Sequence, residues 1–107
     1  MIATFFRWQV AAGREQAFRT AWNEATLYYL EQGSHGSSLW QEGDGHFCAF
    51  ALWPDRETRA AAFASEAGRN FLASMAPLVE AVVDRVDLDQ LDNHWRLPAN
   101  AGQSTEN

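Results

Sequence analysis

Residues 39–54, LWQEGDGHFCAFALWP, are the stretch whose reading decides the fold. Gly43-Asp44-Gly45 is a tight-turn signal between two runs rich in aromatic and small apolar residues, so the stretch reads as a β-hairpin. The second run, His46 to Trp53, is apolar at nearly every position. Side chains alternate across a strand, which puts Phe47, Ala49, Ala51 and Trp53 on one side and Cys48, Phe50 and Leu52 on the other. A strand apolar on both sides needs cover on both sides.

Upstream, IATFFRWQV (residues 2–10) alternates as a strand. Ile2, Thr4, Phe6, Trp8 and Val10 share one face; Ala3, Phe5, Arg7 and Gln9 share the other, where Phe5 beside Arg7 suits a polar-edged cavity. From Arg14 to about Gln32 the period becomes helical, with Ala17, Phe18, Ala21, Trp22, Ala25, Tyr28 and Tyr29 in one broad apolar stripe. Gly33 is the expected C-cap, and residues 33–36 a loop. Ser37–Glu42 is the second strand and 46–53 the third. Pro54 stops the sheet and Asp55 is placed to cap a helix over Glu57–Ala67, with Gly68 expected to break it. A second helical piece starts near Arg69 and is kinked or restarted at Pro77. Val83–Leu91 is the fourth strand; Asp87 and Asp89 on one side of it suit a wet edge.

The order β-α-β-β-α-β predicts an α+β, ferredoxin-like domain with four antiparallel strands and its helices on one face. Helices cover only one side of such a sheet. Three bare aromatics such as Phe6, Trp8 and Phe47, at roughly 150 Å² each, forgo on the order of 10 kcal/mol of burial. That patch exceeds what a lone subunit tolerates. A homodimer packed through its sheet faces is therefore expected.

The 107 residues make one domain, with residues 1–95 folded and 96–107 a polar, disordered tail. A formal charge of −6 argues against a nucleic-acid partner, and all eight basic residues are arginine. One cysteine excludes an internal disulfide and leaves no paired spacing for a metal cluster. No stretch approaches the ~20 apolar residues of a membrane span, and no signal peptide is evident, so a cytoplasmic protein is expected.

Few side chains carry a chemical signal. His46, opening the third strand, titrates near working pH and is the natural general base; a turn-side histidine is also a common solvated residue. Trp22, Trp40 and Trp53 suit either an aromatic pocket or the core, as do Tyr28 and Tyr29. Arg7 either enters a pocket or pairs with an acid. Arg69 either holds an anionic oxygen or sits solvated at a helix end. Cys48, between apolar neighbours, reads as an inert core thiol. Asp87, Asp89 and Asp92 lack a further clustered ligand for a cation.

FFRWQV, the turn AAGREQAFRTAW leading into a Trp-bearing helix, and the hairpin end FALWPDRET resemble the antibiotic biosynthesis monooxygenase (ABM) domain family of the dimeric α/β-barrel superfamily, over residues 2–92. The resemblance implies a dimeric α/β barrel with a pocket in each protomer between sheet and helices. Its characterised members include cofactor-free oxygenases of polycyclic phenols, anthrones and quinols, and haem-degrading enzymes. In the cofactor-free enzymes a deprotonated substrate itself reduces dioxygen inside a dry aromatic cavity.

In some members of that family an asparagine on this segment faces the cavity, so by resemblance Asn70, on the second helical piece, joins His46 as a catalytic candidate; a helix-cap or surface asparagine is the other reading. Arg7, Trp22, Trp40, Tyr28 and Arg69 are the substrate-binding candidates. Haem breakdown needs an axial ligand on a cavity helix, and neither helical segment carries a histidine. The expectation is a monooxygenase of an aromatic, quinol or anthrone-like substrate needing no cofactor and no metal. A non-catalytic small-molecule-binding or stress-related dimer is the alternative.

Overall fold

A computed structural model describes residues 1–96. The tail expected beyond that point lies outside the described residues. Strand β1 (Ile2–Val10) leads to helix α1 (Glu15–Glu31), the hairpin β2 (Gly36–Gln41) and β3 (Phe47–Trp53), and helices α2 (Arg56–Ala64) and α3 (Glu66–Met75). A single 3₁₀ turn at Ala76–Leu78 then passes directly into β4 (Val79–Asp89). The sheet order is β2-β3-β1-β4 and every pairing is antiparallel. This is the expected α+β ferredoxin-like arrangement, with its second helical segment in two pieces.

Register decides which side chains meet the helices. Ile2 lies opposite Trp53, Phe6 opposite Ala49 and Trp8 opposite Phe47. Trp8, Phe18, Phe47 and Leu78 form one core cluster under α1, and Ile2, Trp53 and Ala62 a second under α2. Phe6, Trp8 and Phe47 therefore belong to the helix-covered side and are not the bare aromatics. The uncovered side carries Phe5 against Phe50 (ring centroids 6.3 Å apart, edge to face), with Val86 opposite Phe5 on the edge strand. Trp40 stands on the same side, 66% exposed.

Two boundaries and one strand face differ from expectation. Gly68 does not break a helix; it lies buried inside α3, where an added Cβ would stand 2.2 Å from the Ala62 carbonyl oxygen. The break is at Ser65, extended at φ −63°, ψ 160°, whose Oγ accepts from Gly68 N (3.0 Å) and donates to Ala62 O (2.7 Å). Serine caps compete with helix continuation in this way.

Strand β4 begins four residues before Val83. Its alternation is hidden by two register shifts, which leave Val83 and Glu80 as extra residues against β1. Asp87 is not on a wet edge either. It faces α2, where Arg59 donates to both of its oxygens (2.6 and 3.1 Å) and to Thr4 (2.7 Å). Asp89 meets Arg56 at 3.1 Å. Asp55 caps α2 as expected, accepting from Thr58 N at 2.7 Å.

Candidate functional site

Between the two core clusters the helix-covered side of the sheet is not filled. A cavity of about 440 Å³ opens there, within the range of small-molecule sites. Small residues are the cause. Ala49 and Ala51 form its floor where β3 faces α1, Ala25 sits in its roof, and Ala76 and Ala81 stand at the β4 end. Larger side chains at those points would close the core to ordinary packing density.

Helix α1 supplies much of the polar part of the wall, with Ser37 of β2 and Glu80 of β4 adding to it. Trp22, Thr26 and Tyr29, at spacings of four and three, fall on one helical face and all line the cavity. Neither the Thr26 nor the Tyr29 hydroxyl has a hydrogen-bond partner among the described residues. The Tyr29 ring is held by Trp53 and Phe63 (centroids 5.9 and 5.0 Å away), which fixes where its hydroxyl stands. Burial pushes the Tyr29 hydroxyl above the usual tyrosine pKa, so at neutral pH it is a neutral group able to donate. Trp53 Nε1 is buried without a hydrogen-bond partner, its ring edge-on to those of Tyr29 and Phe63.

Glu80 is the one charged side chain on the described lining; no arginine or histidine reaches it. It is exposed, and as a bulge residue of β4 it stands at the rim, near Leu72 and Val82. Bulges commonly re-aim a side chain beside a site.

Of the seven residues singled out in the sequence, Trp22 lines the cavity. Tyr28 does not: its hydroxyl lies 2.7 Å from Ser65 Oγ, and because that oxygen already donates to Ala62, Tyr28 is the donor. Asn70 and Arg69 are exposed on α3, with Arg69 turned back on the Ala64 carbonyl. Arg7, Trp40 and His46 are on the opposite side of the sheet or at the hairpin. Trp40 Nε1 donates to Ser38 Oγ at 2.8 Å.

Arg7 is paired on both flanks, with Nη1 2.8 Å from Asp84 and Nε 2.8 Å from Glu42. His46 Nδ1 lies 2.9 Å from Asp44 Oδ2, and the His46 backbone N–H donates to Asp44 Oδ1 at 3.1 Å. That backbone bond, with the imidazole contact, holds the Asp44 carboxyl below its usual range. Cys48 Sγ sits 3.6 Å from Glu42, and burial, the largest influence, pushes its thiol up, away from nucleophilic thiolate. Ligand atoms of Glu42, Asp44 and His46 fall within 4.8 Å of one another, yet Arg7 already places a cation on Glu42. The group reads as an ion-pair cluster tying the hairpin to β1 and β4.

Tyr29, Thr26, Phe63 and Glu80 line the cavity although none is among the site residues expected from the sequence. The signal for the first two was present: Thr26 and Tyr29 extend the Trp22 stripe by one and two turns. Glu80 was hidden by the bulge.

No protein-family model matches the chain, and no curated protein matches its sequence. Solved structures do. Rv0793 of Mycobacterium tuberculosis superposes at TM-score 0.76 over 86% of this chain and 96% of its own, at 19% identity. A Chloroflexus aurantiacus protein described as a candidate antibiotic biosynthesis monooxygenase reaches 0.77, at 14% identity over 88% of this chain and 96% of that one. SnoaB of Streptomyces nogalater, a cofactor-independent oxygenase, reaches 0.76, at 16% identity over 86% and 94%.

The fold is theirs. At these identities the likeness concerns the backbone: strands, helices and the space between them. Among the described residues no helix is long and apolar enough to cross a membrane.

Proposed function

We propose that the chain is a small monooxygenase that works without a cofactor and oxidises an aromatic, quinol or anthrone-like substrate with dioxygen. The cavity carries this reading. It is apolar, about 440 Å³, walled by Phe6, Trp8, Trp22 and Trp53, and large enough for a fused-ring ligand. A deprotonated phenol or anthrone is electron-rich enough to reduce dioxygen itself. In the anthrone case a CH₂ and O₂ become a carbonyl and water, with no external reductant. The chain's part in that chemistry is to bind the rings, exclude water and orient the reacting carbon. Structural neighbours, one described as a candidate antibiotic biosynthesis monooxygenase and another as a cofactor-independent oxygenase, support the same general kind of chemistry.

The working unit in this proposal is a homodimer joined through the uncovered sheet face. Phe5, Phe50, Leu52, Val86, Leu88 and Trp40 lie on that side, and three of them are more than 40% exposed. An apolar sheet face of this extent is the kind of surface that a second copy covers.

A second reading has its own support. The histidines and the α3 asparagine stand away from the cavity, and Glu80 is the one ionisable acid or base on its wall besides Tyr29. That suits a module that binds an aromatic molecule without turning it over. Oxygen uptake with hydroquinones and anthrones, with no added flavin or metal, separates the two. Consumption of one O₂ per substrate supports the monooxygenase; ligand-induced thermal shifts with a flat oxygen trace support the binder.

A further inference from the structure

We propose that the Trp22-Thr26-Tyr29 face of α1, together with Glu80 at the rim, sets the ligand class: a flat, uncharged ring system whose carbonyl oxygen turns toward α1. This deepens the cavity reading above and rests on it. Two of the three hydroxyls on a largely apolar wall come from this one helix; the third is Ser37, at the β2 edge across from Ala51. A ligand buried here with an oxygen turned toward the middle of the sheet would meet Ala49, Ala51 and Phe6, which donate nothing, and would lose that oxygen's bond to water; the donors on that side are the single Ser37 hydroxyl at the β2 edge and a Trp53 Nε1 with no exposed surface. Turned toward α1, the same oxygen meets two hydroxyls with no partner among the described residues. The Tyr29 ring is already wedged between Trp53 and Phe63, so little side-chain ordering is left to offset binding.

Charge is decided by what the wall lacks. No arginine, lysine or histidine faces the described cavity, and the nearest full charge is the Glu80 carboxylate. A carboxylate ligand would surrender its hydration with no cation to replace it and would pass a like charge at the rim. A ketone makes neither demand.

Three probes of one shape test this: 9-fluorenone, fluorene, and 9-fluorenone-4-carboxylate, titrated by tryptophan fluorescence against the full chain. Fluorenone is expected to bind about fivefold tighter than fluorene, the worth of one neutral hydrogen bond. Tyr29→Phe keeps the ring in its aromatic nest, so it should abolish that preference and leave fluorene unchanged. The carboxylate should bind more than tenfold weaker than fluorenone, and Glu80→Gln should recover part of the loss without altering fluorene. Equal binding of fluorenone and fluorene to the unaltered chain, or a Tyr29→Phe variant that weakens both alike, overturns the α1 assignment while the cavity stands. If none of the three binds, the cavity reading falls and this one with it.

Discussion

Phe6 and Phe5 are neighbours in the chain and do opposite things. Phe6 lies across from Ala49, a large side chain against a small one, and the space so left is part of the cavity under α1. Phe5 lies across from Phe50, large against large, and the two rings meet edge to face on the side no helix covers. One side of the sheet is therefore built to hold a void and the other to present a surface. The period of two along a strand lets nine residues of β1 serve both ends at once. The lesson concerns pairing more than hydrophobicity. Both rows are apolar, and the size of the cross-strand partner decides whether a row encloses a ligand or offers itself to another chain.

The contrast breaks most sharply by truncating one ring on each side. Phe18 is fully buried between Trp8 and Phe47, so Phe18→Ala is expected to cost about 4 kcal/mol in urea unfolding. Phe50→Ala on the open side should cost far less in a dilute, dissociated chain. Its effect should grow with protein concentration if the open face binds a second copy, since dimer stability follows mass action. A loss from Phe50→Ala that is large and independent of concentration would show that the open side is not an interface.

Next in size is the junction that roofs the covered side. Gly68→Ala puts a methyl 2.2 Å from the Ala62 carbonyl, and backbone there has no room to yield. A destabilisation of about 2–3 kcal/mol is expected, the upper range for overpacking. Because α3 brings Leu72 and Met75 to the rim, ligand affinity should fall as well.

Arg59 comes third. Arg59→Met strands the Asp87 carboxylate and Thr4, and should cost about 2 kcal/mol at pH 7, below the ~3–5 of a fully buried pair because Asp87 is a third exposed. Arg59, the largest influence, holds the Asp87 carboxyl below its ordinary value of 3.8. A depressed carboxylate contributes stability above its unfolded pKa and loses it as pH falls through the folded one. The gap between the two proteins should therefore be flat from pH 7 to 5 and narrow below about pH 4.

The sheet and α1 were legible in the sequence because their signals are local. A Gly-Asp-Gly turn, a stripe at helical spacing and an alternating β1 each declare themselves within a dozen residues. The choice of covered side was not legible. Phe6 and Trp8 are as apolar as Phe5 and Phe50, and the register that sends them under α1 is a long-range fact. Asp87 misled for the same reason: its partner Arg59 lies 28 residues away on another element. The site was obscured by a different property. A cavity is made by what is missing, and the alanines at 25, 49 and 51 read in sequence as ordinary core filler, while the polar groups that stand over them sit mid-stripe on a helix. Residues with conspicuous chemistry, His46 and Arg7, turned out to answer each other's neighbours at the hairpin.

The smallest expected change in stability carries the sharpest test of the void. Ala51 is half-buried on the cavity floor, opposite Thr4 in β1 and Ser37 in β2, so a longer side chain there extends into open space. In Ala51→Leu the added carbons gain burial at about 0.8 kcal/mol per methylene. Fitting them among Tyr29, Trp53 and Phe63 costs roughly the 1–3 kcal/mol of a tight insertion. The two nearly cancel, and the melting temperature should move by only a few degrees in either direction. Fluorenone binding, by contrast, should disappear, because the leucine occupies the floor on which the ring would lie. A variant that melts like the parent and still binds fluorenone would place the ligand elsewhere. The alternative would then be the Phe5–Phe50 side, and the same titration repeated on Phe50→Ala would show it directly.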